Sequence, residues 1–263
     1  MAFNGKNVLI TGASMGIGEA IARKAAAEGA NLALFAQSEI SRSSIQARRS
    51  FKAIDLQSYE TVEKAVKETV KETVKETVKE LGDIDILVNN AGLALGAPAA
   101  FPDLKVSDIV TSNSTNINGL MFVTYVVLNS SMMRRKEGTI LNVTSVTGFE
   151  VPPFPGEAVY HSNKAAQEAF TNALRNELTG TNIRVLALRP GVVATNFHSL
   201  RVGHDDKMYD SFMEGQLESD DIAGAAIHML SQPLNIPVKA LDVVPSAQKS
   251  LNVIDRSWSE RNR

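Results

Sequence analysis

Apolar residues in this chain fall into short runs set between amphipathic stretches, and the two periods predict strands and helices in turn. Val8-Leu9-Ile10 is a β-rich run. Thr11 to Gly18 follows it, then an Ala-rich helical stretch, Glu19 to Glu28, closed by Gly29. Asn31 to Ala36, Phe51 to Ile54, Ile84 to Val88, Ile140 to Thr144 and Ile183 to Leu188 read as further strands, with Ala240 to Val244 the last. Thr115-Asn116-Ile117-Asn118-Gly119 opens a long apolar helix to about Met133, and Asp220 to Ser231 is another. Strands alternating with helices predict an α/β domain built on a parallel sheet.

One helical stretch has its own pattern. Lys67-Glu68-Thr69-Val70 recurs at 71–74 and 75–78, so Val62, Val66, Val70, Val74 and Val78 stand every four residues. A four-residue repeat overshoots the 3.6-residue turn by about 40° each time, so the valine stripe winds slowly round the helix. Glu68/Lys71, Glu72/Lys75 and Glu76/Lys79 are suitable i,i+3 pairs. The segment reads as a surface helix lengthened by tandem duplication, with a coiled-coil contact as the alternative.

Composition narrows the class. With 263 residues, 44% hydrophobic and 21% charged, the chain is long enough for one large α/β domain with a filled core. Formal net charge is −2 and no basic run is dense enough to track phosphates, so nucleic acid is not an expected partner. The absence of cysteine excludes disulfides, thiolate metal sites and cysteine nucleophiles. His161, His198, His204 and His228 have no metal-ligand spacing, and no apolar run approaches a membrane span. Neither a metal nor a membrane is expected. Residues 1–6 lead into the first strand without a cationic n-region or long apolar h-region, which points to a cytoplasmic protein.

The chemistry concentrates in Tyr160-His161-Ser162-Asn163-Lys164. Residues four apart share a helical face, so the Tyr160 phenol and the Lys164 ammonium can enter one cleft. Free Tyr titrates near ~10, and acid–base work at neutral pH calls for roughly 3 to 4 kcal/mol of help, which an ammonium and a cationic cofactor ring can supply. Taken alone, the pair is equally a packed Tyr with a snorkelling Lys. Upstream, Gly12, Gly16 and Gly18 make a GxxxGxG turn between strand and helix. There backbone amides and the helix dipole can meet a pyrophosphate; otherwise it is a tight βα turn.

The tip of the second strand should meet the adenosine ribose. It reads Ala36-Gln37-Ser38, with Ser41 and Arg42 beyond. With no acid at the tip and one Arg in reach, NADP is favoured over NAD, although Glu39 counts against it and neither Met15 nor Gln37 is basic. Asp55-Leu56 ends the third strand, where a carboxylate can meet the adenine amino group. Asn89-Asn90-Ala91-Gly92 offers small residues and amides where the backbone must pass a flat ring, and Ser145 stands at the carboxyl end of the fifth strand. An Asn buried near a helix start, such as Asn116, ordinarily satisfies backbone groups. Phe149 to Gly156, with Pro152, Pro153 and Pro155, is a stiff loop leading to Tyr160. Arg189-Pro190-Gly191-Val192-Val193-Ala194-Thr195 caps the sixth strand, and residues 196–219, carrying Phe197, Arg201 and several Met and aromatic side chains, read as a lid.

Together Thr11 to Gly18, Asn89 to Gly92, Asn116, Ser145, Tyr160, Lys164 and Pro190-Gly191 resemble, in order and spacing, the short-chain dehydrogenase/reductase family over about residues 6–246. The resemblance implies a single Rossmann-type three-layer α/β/α domain, with a seven-stranded parallel sheet of order 3-2-1-4-5-6-7. It implies a homodimer or homotetramer acting on a small-molecule alcohol or carbonyl compound. In that reading Tyr160 exchanges the alcohol proton and Ser145 hydrogen-bonds the substrate oxygen. Lys164 binds the nicotinamide ribose and lowers the Tyr160 pKa, and Asn116 positions a water.

Gly12, Ser14, Met15, Gly16, Ile17, Gly18, Gln37, Ser38, Arg42, Asp55, Leu56, Asn90, Ala91, Gly92, Pro190, Gly191, Val193 and Thr195, with Tyr160 and Lys164, are the implied cofactor contacts. Phe149, Phe154, Phe197 and Arg201 are the candidate substrate contacts. The domain is expected over 1–248, with 249–263 a polar tail that frays. Thr195-Asn196-Phe197, Arg201 and the ending Lys239 to Gln248 look like the broad-specificity NADP-dependent 3-hydroxy acid dehydrogenases. Arg201 is then either a partner for a substrate carboxylate or a solvated arginine. Three functions stay open: a dehydrogenase of 3-hydroxy acids or small carbonyl compounds, a biosynthetic ketoreductase with a bulkier apolar substrate, and a non-catalytic NADP-binding redox sensor.

Overall fold

Every run expected as a strand enters one sheet. In the computed structural model, which describes residues 1–37, 49–70, 81–151, 155–197 and 216–262, the first six strands are β1 (Asn7–Thr11), β2 (Asn31–Ala36), β3 (Arg49–Ala53), β4 (Ile86–Asn89), β5 (Glu137–Val143) and β6 (Asn182–Pro190). A two-stranded pair, β7 (Val193–Ala194) and β8 (Leu217–Glu218), precedes β9 (Ala240–Val243), which completes the sheet. The order is β3-β2-β1-β4-β5-β6-β9, with all neighbours parallel. This is the expected seven-strand order, its last place taken by the ninth strand in the chain.

Parallel strands buried on both faces supply two cores. Val8 and Ile10, Leu32 and Leu34, and Ile86 and Val88 face one side, while Leu9, Ala33, Phe35 and Leu87 face the other. The first face is covered by α1 (Gly16–Ala27) and by the helix Ser219–Ser231, and the second by α2 (Tyr59–Val70), α4 (Leu120–Val127) and α6 (Ala158–Glu177). Between α2 and α6 the chain also forms α3 (Val106–Asn113) and α5 (Met133–Arg135). The helix Ser219–Ser231 is α7, and a short α8 (Trp258–Arg261) follows. No helix among the described residues is long and apolar enough to cross a membrane.

Three elements differ from the sequence-based expectation. Helix α1 starts at Gly16, ahead of Glu19, because two of its first three residues, Gly16 and Gly18, are glycines, which read as part of the turn. The helix expected to open at Thr115 already runs from Val106 as α3 and passes into α4 through a π-helical turn, Ser114–Gly119. Asn116 therefore sits inside a π turn and not at a helix start. The tail is not frayed: Gln248–Ser250 (β10) and Val253–Ile254 (β11) form an antiparallel hairpin. Leu251 N donates to Glu150 Oε2 at 2.6 Å and Asn252 Nδ2 to the Val151 carbonyl at 3.3 Å.

In α2, Val62 and Val66 of the valine stripe are buried. Glu68 accepts from Lys52 Nζ at 2.6 Å. Val74, Val78 and the pairs involving Lys71 to Lys79 lie outside the described residues.

Candidate active site

The sheet order reverses at β1, which pairs with β2 on one side and β4 on the other. In an open α/β sheet the crevice for a ligand lies at the carboxyl ends of the strands beside that reversal. The glycine turn leaves β1 there, and its geometry is that of close packing. Gly12 has φ +65°, and a Cβ on it would stand 2.8 Å from Ala91 Cα; a Cβ on Gly18 would stand 2.3 Å from the Gly12 carbonyl oxygen. Thr11 Oγ1 accepts from Asn90 N at 3.1 Å and Ala91 N at 3.0 Å, while Asn90 Nδ2 donates to the Thr11 and Gly12 carbonyls, each at 3.1 Å. The turn and the segment after β4 thus form one rigid lip.

Met15, the N-cap of α1, makes no side-chain capping bond, so the positive end of the helix dipole faces the crevice without a cap from its own N-cap residue. A Cβ on Gly16 would stand 3.4 Å from Thr195 Cγ2, which brings the segment after β6 to the same place. These features fit a dinucleotide pyrophosphate. At the tip of β2, Gln37 is exposed and neutral. Asp55 is exposed and its Oδ1 accepts from Gln57 N at 2.9 Å, while Leu56 is buried against the π turn at Gly119. Ser38 and Arg42 lie outside the described residues.

Helix α6 carries the candidate reactive groups, Tyr160 and Lys164. Tyr160 and Lys164 share a face, with Lys164 Nζ 5.6 Å from the centre of the Tyr160 ring. The ammonium is buried and donates to the Val143 carbonyl at 3.2 Å and to Gln167 Oε1 at 3.0 Å. Burial pushes the Lys164 pKa down to about 8, against the opposing pull of the Glu168 carboxylate. Ser145, at the end of β5, caps the following turn. Its Oγ accepts from Thr147 N at 3.1 Å and donates to the Pro190 carbonyl at 3.3 Å. That turn packs on α6: His161 Nδ1 meets the Thr147 carbonyl, and a Cβ on Gly148 would stand 3.1 Å from the Lys164 carbonyl oxygen. Ser145 is in this way held against the helix bearing Tyr160 and Lys164.

Asn116 is fixed from three sides. Its Oδ1 accepts from Leu93 N at 2.8 Å, and its Nδ2 donates to the Leu93 carbonyl at 2.7 Å and to Asn163 Oδ1 at 3.0 Å. It does satisfy backbone groups, those of the segment after β4, and a Cβ on the nearby Gly92 would stand 3.2 Å from its Oδ1 and 3.8 Å from Lys164 Nζ. Tyr160 also packs on Phe197, ring centres 5.5 Å apart. Phe149 is exposed and lies against the Arg189 guanidinium, 4.4 Å from its ring centre. Phe154 and Arg201, and most of the expected lid, lie outside the described residues.

A family model described as short chain dehydrogenase matches residues 6–204. The chain belongs to the short chain dehydrogenase family. These are oxidoreductases acting on alcohols. An NADP-dependent 3-hydroxy acid dehydrogenase of Schizosaccharomyces pombe is 33% identical over 260 residues, covering 96% of this chain and 97% of its own. Sulfoacetaldehyde reductase 2 of Chromohalobacter salexigens is 34% identical over 258 residues, covering 95% and 98%. Among solved structures, the closed form of a serine dehydrogenase complexed with NADP+ has a TM-score of 0.80 and 30% identity, covering 93% of this chain and 96% of its own.

Three residues with no role assigned from the sequence also hold this short chain dehydrogenase site together. Thr11 welds the lip, Asn163 joins Asn116 to Asn113 (Nδ2 to Oδ1, 2.7 Å), and Gln167 holds Lys164. Gln167 had a signal, being a polar residue three positions after Lys164 on its face of the helix.

Proposed function

We propose that this chain is an NADP(H)-dependent oxidoreductase that interconverts a secondary alcohol and a ketone on a 3-hydroxy acid or related small carbonyl compound. The observation that carries the reading is the buried Lys164 ammonium beside Tyr160, on the helix packed against Ser145 and within reach of the glycine lip. A cation next to a phenol favours phenolate, and burial strengthens the effect by removing water. The bound dinucleotide supplies the hydride acceptor for oxidation and the donor for reduction. Tyr160 takes the hydroxyl proton of the alcohol as the carbinol carbon gives up its hydride, and returns that proton in reduction. The Ser145 hydroxyl hydrogen-bonds the substrate oxygen, Lys164 orients the nicotinamide ribose, and Asn116 with Asn163 holds the wall behind them.

NADP is preferred because the tip of β2 ends in Gln37, with no carboxylate among the described residues there to repel a 2′-phosphate. NADP also appears in the names of two of the relatives. The substrate class draws on the names 3-hydroxy acid, serine and sulfoacetaldehyde, all small compounds with an acidic group close to the reacting carbon. Arg201 is the sequence's candidate partner for that acid. A cytoplasmic homodimer or homotetramer belongs to the same reading, carried by family resemblance.

The test is reduced-nicotinamide formation by the purified protein, NADPH from NADP+ and NADH from NAD+ in parallel, over short 3-hydroxy acids and uncharged cyclic and aryl alcohols. Hydroxy acids should turn over with NADP+, and Tyr160→Phe should lower kcat by about 10²–10⁴-fold. Turnover of bulky uncharged alcohols alone would discard the hydroxy acid, and full activity in Tyr160→Phe would discard the mechanism.

A further inference from the structure

Gln167 is 2% exposed, on α6 about one turn beyond Lys164 and two beyond Tyr160. Its carboxamide spans two partners of opposite kind. Gln167 Oε1 accepts from Lys164 Nζ at 3.0 Å, and Gln167 Nε2 donates to the Asn116 carbonyl at 2.6 Å. An ammonium only donates and a carbonyl only accepts, so the orientation of the amide is dictated; turning it over would set NH₂ against NH₃⁺ and oxygen against oxygen. The helix backbone around it is pinned as well. Thr171 Oγ1 donates to the Gln167 carbonyl at 2.6 Å and itself accepts from Asn142 Nδ2 at 2.8 Å, which ties the position to β5.

The consequence falls on Lys164. An ammonium has three N–H donors in tetrahedral array. Two are committed, to the Val143 carbonyl and to Gln167 Oε1, and these two fix the direction of the third. We propose that Gln167 is a positioning residue of this active site: its carboxamide locks the Lys164 ammonium to the π turn at Asn116, aims the remaining N–H and favours the charged form beside Tyr160. The role rests on the acid–base reading of Tyr160 and Lys164. Among the described residues, few charged groups surround Lys164. Glu168 follows Gln167 and is paired with Arg189 of β6, and Arg175 lies further along α6. From β5 and the segment after β4, the described neighbours of the ammonium are the Val143 carbonyl and Gly92, and the π turn reaches it through Gln167.

Gln167→Met and Gln167→Glu in the full-length enzyme separate positioning from packing. Methionine fills the space without hydrogen bonds, whereas glutamate keeps an acceptor for Lys164 and places a charge in the interior. A packing role ranks Met above Glu; a positioning role ranks Glu above Met. With NADP+ and an alcohol that the enzyme oxidises, Gln167→Met should lower kcat/KM about tenfold, the rate equivalent of one lost hydrogen bond. Loss of the acceptor disfavours the ammonium and hence the phenolate, so the rising limb of the pH profile should move up by about half a pH unit or more. NADPH affinity, titrated by its fluorescence, should fall in Gln167→Met and be largely kept in Gln167→Glu.

A wild-type limb and rate in Gln167→Met, or a Met variant more active than the Glu variant, overturns the proposal. If Gln167→Met does not fold, Gln167→Asn, with the same amide out of reach, should show the same displaced limb, and an undisplaced one is equally fatal. Tyr160→Phe is the control. If it retains turnover, the acid–base reading has failed; if it is inactive while the Gln167 variants behave as wild type, only the positioning role has failed.

Discussion

At the scale of single residues, Lys164 decides how the site responds to pH. Its ordinary value of 10.5 is lowered to about 8 because the ammonium is buried, with Glu168 resisting the shift. A lowered value for a base means that its charge is present below that pH and is lost as pH rises through it. In the proposed mechanism, ketone reduction needs the proton on Tyr160 and the charge on Lys164 together. Initial rates of NADPH oxidation at low substrate, which report the free enzyme, should therefore fall as pH rises through about 8. A profile flat to about pH 10 would mean that Lys164 keeps an unperturbed value. Of this constellation, Tyr160, Lys164, Ser145 and Asn116 were legible from the sequence because their order and spacing are distinctive. Asn163 carried no such mark, and Gln167 only its place on the Lys164 face of the helix, since what a buried amide holds is decided by what it touches.

At the scale of elements, the glycine turn after β1 illustrates how a local conformation creates a ligand surface. Gly12 needs a left-handed φ and a backbone approach that no side chain allows. Gly12→Ala should cost about 1–2 kcal/mol from the φ alone, plus whatever displacement of Ala91 requires. Urea denaturation reads the stability, and NADPH titration should show weakened binding, since the lip formed by Asn90 and Ala91 must move. Wild-type affinity in a folded Gly12→Ala protein would show that the lip is not part of the cofactor site. The π turn at Ser114–Gly119 is a second such element. Its apolar pattern reads as plain helix, and the extra residue in the turn, which sets Asn116 toward Leu93, follows from tertiary hydrogen bonds.

Across the whole molecule, α6 is fastened to the sheet by a buried ion pair. Glu168 is 3% exposed and accepts two bonds from Arg189 of β6, each at 2.9 Å, as well as one from Thr144 Oγ1 of the β5 end. Arg189 reaches on to Asp242 of β9 at 3.2 Å and carries the Phe149 ring. One carboxylate therefore joins the helix bearing Tyr160 to three strands. Removing it leaves a partly buried guanidinium with Asp242 alone, and Glu168→Ala should lower unfolding stability by about 2–3 kcal/mol. Equilibrium urea unfolding with an unchanged m-value is the measurement, and a loss below about 1 kcal/mol would mean that water or Asp242 replaces the carboxylate. The C-terminal hairpin acts on the same region from outside, through Glu150 and Val151.

The sequence by itself determined the parallel sheet, its strand order through family resemblance, and the four residues around which the chemistry is read. Strand runs, turn glycines and helical spacing are local properties, and each is written in neighbouring residues. The tertiary structure alone decided which of the buried amides holds the ammonium, that Asn116 lies in a π turn, and that the polar tail folds back as a hairpin. Those outcomes depend on hydrogen bonds between residues far apart in the chain, such as Gln167 to Asn116 and Leu251 to Glu150. Neither partner of such a bond marks the other until the sheet has brought them together.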